Sequence, residues 1–122
     1  MILEVRLGLI VPQMSGAMIE CAHAAPGDTM AMGSKLADLS IDLSSAFAQE
    51  CPPISYYRIV LREPACLRTL EARPGHHLAV NELIALFSSD PDEPLDQPPT
   101  RALRTTIAGI MHHEGMITGR QL

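Results

Sequence analysis

Two histidine pairs, His76-His77 and His112-His113, and three cysteines, Cys21, Cys51 and Cys66, are the side chains with an obvious capacity for chemistry. Imidazole and thiolate are the ligands zinc favours, so spacing decides whether they form a site. Adjacent residues on a helix point about 100° apart, and a two-histidine site on a helix needs its partners at i and i+4. Neither pair has such a partner. The cysteines are odd in number and show no CxxC or CxxxxC spacing, which argues against a disulfide framework and a zinc cluster alike. No sequence context marks a nucleophile, and the scattered glycines form neither GxGxxG nor GxxxxGK, so a phosphate cradle is missing. The expectation is a chain without cofactor or metal that is not an enzyme. His112 and His113 fit the C-terminal end of a helix, whose dipole favours their charged form.

The elements that would position these side chains read as mainly α. Leu3, Val5, Leu7, Leu9 and Val11 alternate as in a half-buried strand over 2–11, stopped by Pro12. From Met14 to Gly33 the chain is rich in Ala, Gly and Met without a period, so 1–33 reads as a poorly ordered N-terminal arm around that strand. Ser34 can cap a helix in which Leu36, Leu39, Leu43, Ala46 and Phe47 recur at three- and four-residue steps, ended by Cys51-Pro52-Pro53. Tyr57, Ile59 and Leu61 alternate like a strand, yet Pro53 suits a helix start, and helix is preferred for 54–62. A further helical piece runs from Ala65 to Ala72 and closes at Pro74-Gly75. His77 to Val80 is a short extended piece before a helix from Glu82 to Ser88, capped by Asn81. The loop from Asp90 to Pro99 is proline-rich and acidic. Thr100 caps a last helix with Leu103, Ile107, Ile110 and Met111 inside, ended by Gly115, and Met116-Ile117-Thr118 reads as a short strand. No internal repeat stands out. The fold class expected is therefore a compact helical domain of four to five helices over 34–122.

An apolar helix closed by Pro-Gly, a short "HLAV", helices at "NELIALF" and "TRALRTTIAGIMHH", and the ending "EGMIT" together resemble the winged helix-turn-helix superfamily over roughly 54–120. That resemblance implies a third helix entering the DNA major groove, with Thr100, Arg101, Arg104 and Thr105 facing bases and phosphates and Arg120 at the wing. Two features depart from the superfamily. The chain stops after "TGRQL", too soon for the second wing strand, and the long loop carries Asp90, Asp92, Glu93 and Asp96, which would sit near phosphates.

Composition points the same way. Net charge is −5, and Lys35 is the only lysine, which disfavours a general polyanion binder. Aromatic residues are few and Trp is absent, so the core must be aliphatic. Free cysteines fit a reducing cytoplasm, Glu4 and Arg6 interrupt what a signal peptide would keep apolar, and no run approaches a membrane span. The expected function is a small cytoplasmic regulator that binds and sequesters or modulates a transcription regulator, as a homodimer, through Leu36, Leu39, Leu43, Phe47 and Met111. A dimeric winged-helix repressor is the alternative, and a helical sensor of a small apolar ligand a third.

Overall fold

The computed structural model describes residues 1–42, 54–71 and 73–110, and among these there is no helix. Ten strands run in chain order: β1 (Ile2–Arg6), β2 (Gly16–Ala22), β3 (Thr29–Met30), β4 (Lys35–Asp42), β5 (Ile54–Leu61), β6 (Ala65–Leu70), β7 (His77–Ala79), β8 (Leu83–Ser88), β9 (Arg101–Ala102) and β10 (Thr105–Ile110). They form two five-stranded sheets, one in the order β3-β6-β8-β1-β9 and the other in the order β10-β5-β4-β2-β7. One apolar core draws on both, with Leu3, Val5, Leu67 and Phe87 from the first sheet and Ile19, Leu39, Ile59 and Leu78 from the second. The helical fold class is therefore corrected to mainly β, and the winged helix-turn-helix resemblance falls with it: the chain at "NELIALF" and at Thr105–Ile110 forms strands β8 and β10. The stretch 1–33 supplies β1, β2 and β3.

β-Bulges explain why helical spacing appeared where strands form. In β4 the ladder with β5 steps from Lys35 to Ala37, leaving Leu36 as the extra residue, so the inward set becomes Leu36, Ala37, Leu39 and Ile41. One inserted residue breaks the two-residue alternation and creates three-residue steps that imitate a helix face. The same thing happens in β8, where Ile84 is skipped between Leu83 and Ala85, and "LIALF" looks helical for that reason. In β5 the alternation of Tyr57, Ile59 and Leu61 is the true signal, since Ile59 and Leu61 are buried. Thr105, Thr106, Ile107 and Ile110 are β-branched, which suits the pleated edge strand β10 better than a helix.

Four strands of each sheet, β3-β6-β8-β1 and β7-β2-β4-β5, repeat one motif. Residues 26–42, PGDTMAMGSKLADLSID, correspond to 74–90, PGHHLAVNELIALFSSD, with Pro, Gly, Ala, Ala, Ser and Asp shared in place. Backbone contacts repeat accordingly: the Gly27 amide donates to the Leu67 carbonyl (2.8 Å) and the Gly75 amide to Ile19 (2.7 Å), while Leu67 donates to Asp28 and Ile19 to His76 (both 2.9 Å). Glu20 and Arg68 are extra residues at equivalent bulges of β2 and β6. The short strand of each half pairs with the other half, β3 with β6 and β7 with β2. An internal repeat thus exists, contrary to the expectation, and it interlocks.

Candidate functional site on the outer face of one sheet

Asp38 lies in β4 with its side chain turned away from the core that Ala37 and Leu39 enter. It stands directly opposite Cys21 of β2 and Arg58 of β5, so a row of three polar side chains crosses three neighbouring strands. His23, one residue past β2 and two past Cys21, comes up on the same side because side chains alternate along an extended chain. The Arg58 guanidinium donates to both Asp38 oxygens, at 2.8 and 3.0 Å, in the planar bidentate arrangement that suits this pair. His23 Nε2 is 3.1 Å from Asp38 Oδ2, and the Cys21 thiol donates to the same oxygen at 3.5 Å.

Electrostatics follow from that arrangement. Burial alone would raise the Asp38 pKa, but hydrogen bonds from Arg58 and His23 and their positive charge outweigh it and hold the carboxyl below its ordinary value. The Cys21 thiol is pushed up, first by burial and then by the Asp38 charge beside it. A thiol held protonated in this way is not an activated nucleophile, so the row is better equipped to bind than to attack.

Beside this row the same sheet face carries a groove of about 640 Å³, lined by Met18, Glu20, Ser40, Tyr56, His77 and Glu82 among others. Ser40 donates to the Glu20 carboxylate at 2.5 Å. At the equivalent place on the other sheet Arg68 stands where Glu20 stands here. There Arg68 donates to the Ser88 hydroxyl (3.0 Å) and to the Glu93 carbonyl, Ser88 donates to the Asp90 carbonyl (2.6 Å), and the Glu93 carboxylate pairs with the Met1 amino group. The chain's own segment after β8 is drawn onto that sheet by the bulge residue Arg68. No family model, curated protein or solved structure matches the chain.

Of the residues expected to form sites, none of the described ones belongs to this row. Leu36 and Leu39, assigned to a partner interface, are completely buried in the core. Leu43, Phe47, Met111, Arg120, His112 and His113 fall outside the described residues. Thr100 is exposed and its amide donates to the Ile2 carbonyl, and Thr105 pairs with Leu61 across the β10–β5 ladder. Arg101 is held by both oxygens of Glu63, at 2.7 and 2.9 Å, and the Arg104 backbone amide donates to Glu63 as well, at 2.8 Å. Arg101 and Arg104 therefore surround a carboxylate, with no major-groove helix to carry them. His76 and His77 separate, the first accepting the Ile19 amide through its carbonyl in a turn and the second on edge strand β7. The Cys21-x-His23 spacing is the sequence signal for this row, and it brings two ligands together only on an extended chain.

Proposed function

We propose that this chain is a non-enzymatic protein-interaction module that takes an extended, basic and partly apolar segment of a partner protein into the groove beside Glu20. The observation that carries the reading is the charge and apolar character of the groove lining, where Glu20 stands at the bulge position that Arg68 takes in the other half. Glu20, Asp42 and Glu82 give that groove an acidic lining, and Met18, Ile54 and Tyr56 give it apolar contact surface, which together suit a strand bearing Lys or Arg beside aliphatic residues. A reducing cytoplasm, in which Cys21 and Cys66 stay free thiols, accords with this reading. Regulation of a transcription factor by such contact, and a homodimer seated through the same groove, are both specific forms of it.

The experiment is a comparison of peptide binding by the wild-type chain and by Glu20→Arg, which copies the other half. Extended peptides carrying Lys or Arg should bind the wild type more tightly than acidic peptides of the same apolar pattern, and Glu20→Arg should weaken that preference. Sedimentation of both variants identifies a second copy as the occupant if a wild-type dimer dissociates on Glu20→Arg. Peptide binding that ignores charge, together with an oligomeric state that ignores Glu20, overturns the proposal.

A further inference from the structure

We propose that Cys21, His23 and Asp38 form a three-ligand site for a zinc-class divalent cation, with Arg58 orienting the carboxylate from behind. The evidence is the separation of the three ligand atoms. Tetrahedral zinc, with bonds of about 2.3 Å to sulfur and about 2.0–2.1 Å to nitrogen and oxygen, places sulfur about 3.5 Å from the other two ligands and those about 3.3 Å from each other. The protein sets Cys21 Sγ 3.6 Å from His23 Nε2 and 3.5 Å from Asp38 Oδ2, with His23 Nε2 and Asp38 Oδ2 3.1 Å apart. A cation can therefore replace the proton-mediated contacts among these atoms with little movement of the backbone.

The repeat supplies an internal control. The positions corresponding to Cys21, His23 and Asp38 in the other half are Thr69, Glu71 and Leu86, and the position opposite Leu86, corresponding to Arg58, is Glu4. The same bulged ladder forms there around an apolar leucine, so neither the strands nor the bulge requires a polar cluster. Among the described residues this is the one group of three such side chains whose ligand atoms converge.

Charge and access also fit. On binding, the Cys21 proton and any proton on His23 Nε2 leave to solvent, and thiolate and carboxylate set two negative charges against the divalent ion, with the Arg58 guanidinium a further positive charge on Asp38. Arg58 contacts Asp38 through its outer oxygen Oδ1 as well as Oδ2, the position of a residue that fixes a ligand's orientation and leaves it a lone pair for the metal. His23 also lines a shallow surface depression with Asp28, Thr29 and Lys35, so its ring is open to solvent. Three protein ligands leave the fourth position to water or to an anionic group, the pattern of an open rather than a closed zinc site.

The test uses the full chain without a tag, stripped by chelator and titrated with zinc against a chromophoric competitor, with cobalt(II) as the spectroscopic probe. One equivalent should bind, the cobalt form should show thiolate charge transfer, and the band should vanish in Cys21→Ser. Affinity should fall at least about tenfold in His23→Ala and by about 10- to 100-fold in Arg58→Met, where loss of the orienting contact outweighs removal of a positive charge near the ion. Thr69→Ala, at the corresponding place in the other half, should change nothing. The proposal is overturned if the wild type takes up no stoichiometric zinc or cobalt. It is equally overturned if uptake survives Cys21→Ser but is lost in His112→Ala or His113→Ala, which would put the ion elsewhere.

Discussion

Gly33 and Asn81 occupy the same turn in the two halves, each with a left-handed backbone, φ +90° and 80°, and each donating its amide across to a buried leucine's carbonyl, Leu61 and Leu7 respectively. The side chain one residue later then closes each turn, with Ser34 Oγ accepting from Ala31 and Glu82 Oε1 from Ala79. Asn81 is the residue type other than glycine that adopts this conformation most readily. Asn81→Gly should leave stability within a few tenths of a kcal/mol, whereas Asn81→Val should cost about 1–2 kcal/mol. Urea unfolding of both variants checks this, and a Val variant as stable as wild type would contradict the turn geometry.

Gly16 is required for a different reason, the approach of β7. A Cβ at this position would lie 2.3 Å from the Leu78 carbonyl oxygen, which is backbone and unable to swing aside. Gly16→Ala should therefore loosen β7 from β2 and cost about 1–3 kcal/mol, as overpacking does. Amide exchange resolves where: protection should fall first at Leu78 and at Val80, whose amide donates to Ser15. Unchanged protection there would show that the strands do not approach so closely.

Leu39 separates the core from an interface. It is completely buried between the sheets, so Leu39→Ala should cost about 2–5 kcal/mol of folding stability at every protein concentration. An interface leucine would instead change the mass in solution and leave the unfolding of the isolated chain nearly unaltered. Denaturant unfolding at two protein concentrations distinguishes these outcomes.

Glu63 ties the β5–β6 turn to the segment before β10. The hydrogen bond from Arg101, then that from the Arg104 amide, lowers its pKa to about 2 from the ordinary 4.5. A depressed acid binds fewer protons in the folded than in the unfolded state, so its contribution is complete above about pH 4.5 and is lost as pH falls through about 2. Stability measured from pH 6 down to pH 2 should fall less steeply in Glu63→Gln than in wild type. Parallel curves for the two would remove Glu63 from the acid response.

The exchange of β3 and β7 between halves makes them interdependent. Fragments 1–62 and 63–122 each lack the partner of their own short strand, and β1 is also separated from β8. Each fragment alone should show no cooperative unfolding, while an equimolar mixture should recover the strand signal and a single transition. Independent folding of either fragment would show that the interlock is not needed.

Several local features were legible in the sequence: the alternation of Leu3, Val5 and Leu7, that of Tyr57, Ile59 and Leu61, the turns at Pro74-Gly75, and an aliphatic core without Trp. Each depends only on neighbours a few residues away. Fold class was not, because bulges at Leu36 and Ile84 shift the inward set by one residue and leave helix-like spacing in "KLADL" and "LIALF". A bulge is a property of the pairing with the next strand, and the sequence of one strand does not carry it. The repeat was present as matching Pro-Gly turns at 26–27 and 74–75, but its meaning depends on strands exchanged between the halves, which are long-range contacts. For the same reason neither helical nor CxxC spacing marks the Cys21, His23, Asp38 and Arg58 row. Its residues are separated along the chain and are brought face to face by the β2–β4–β5 register alone.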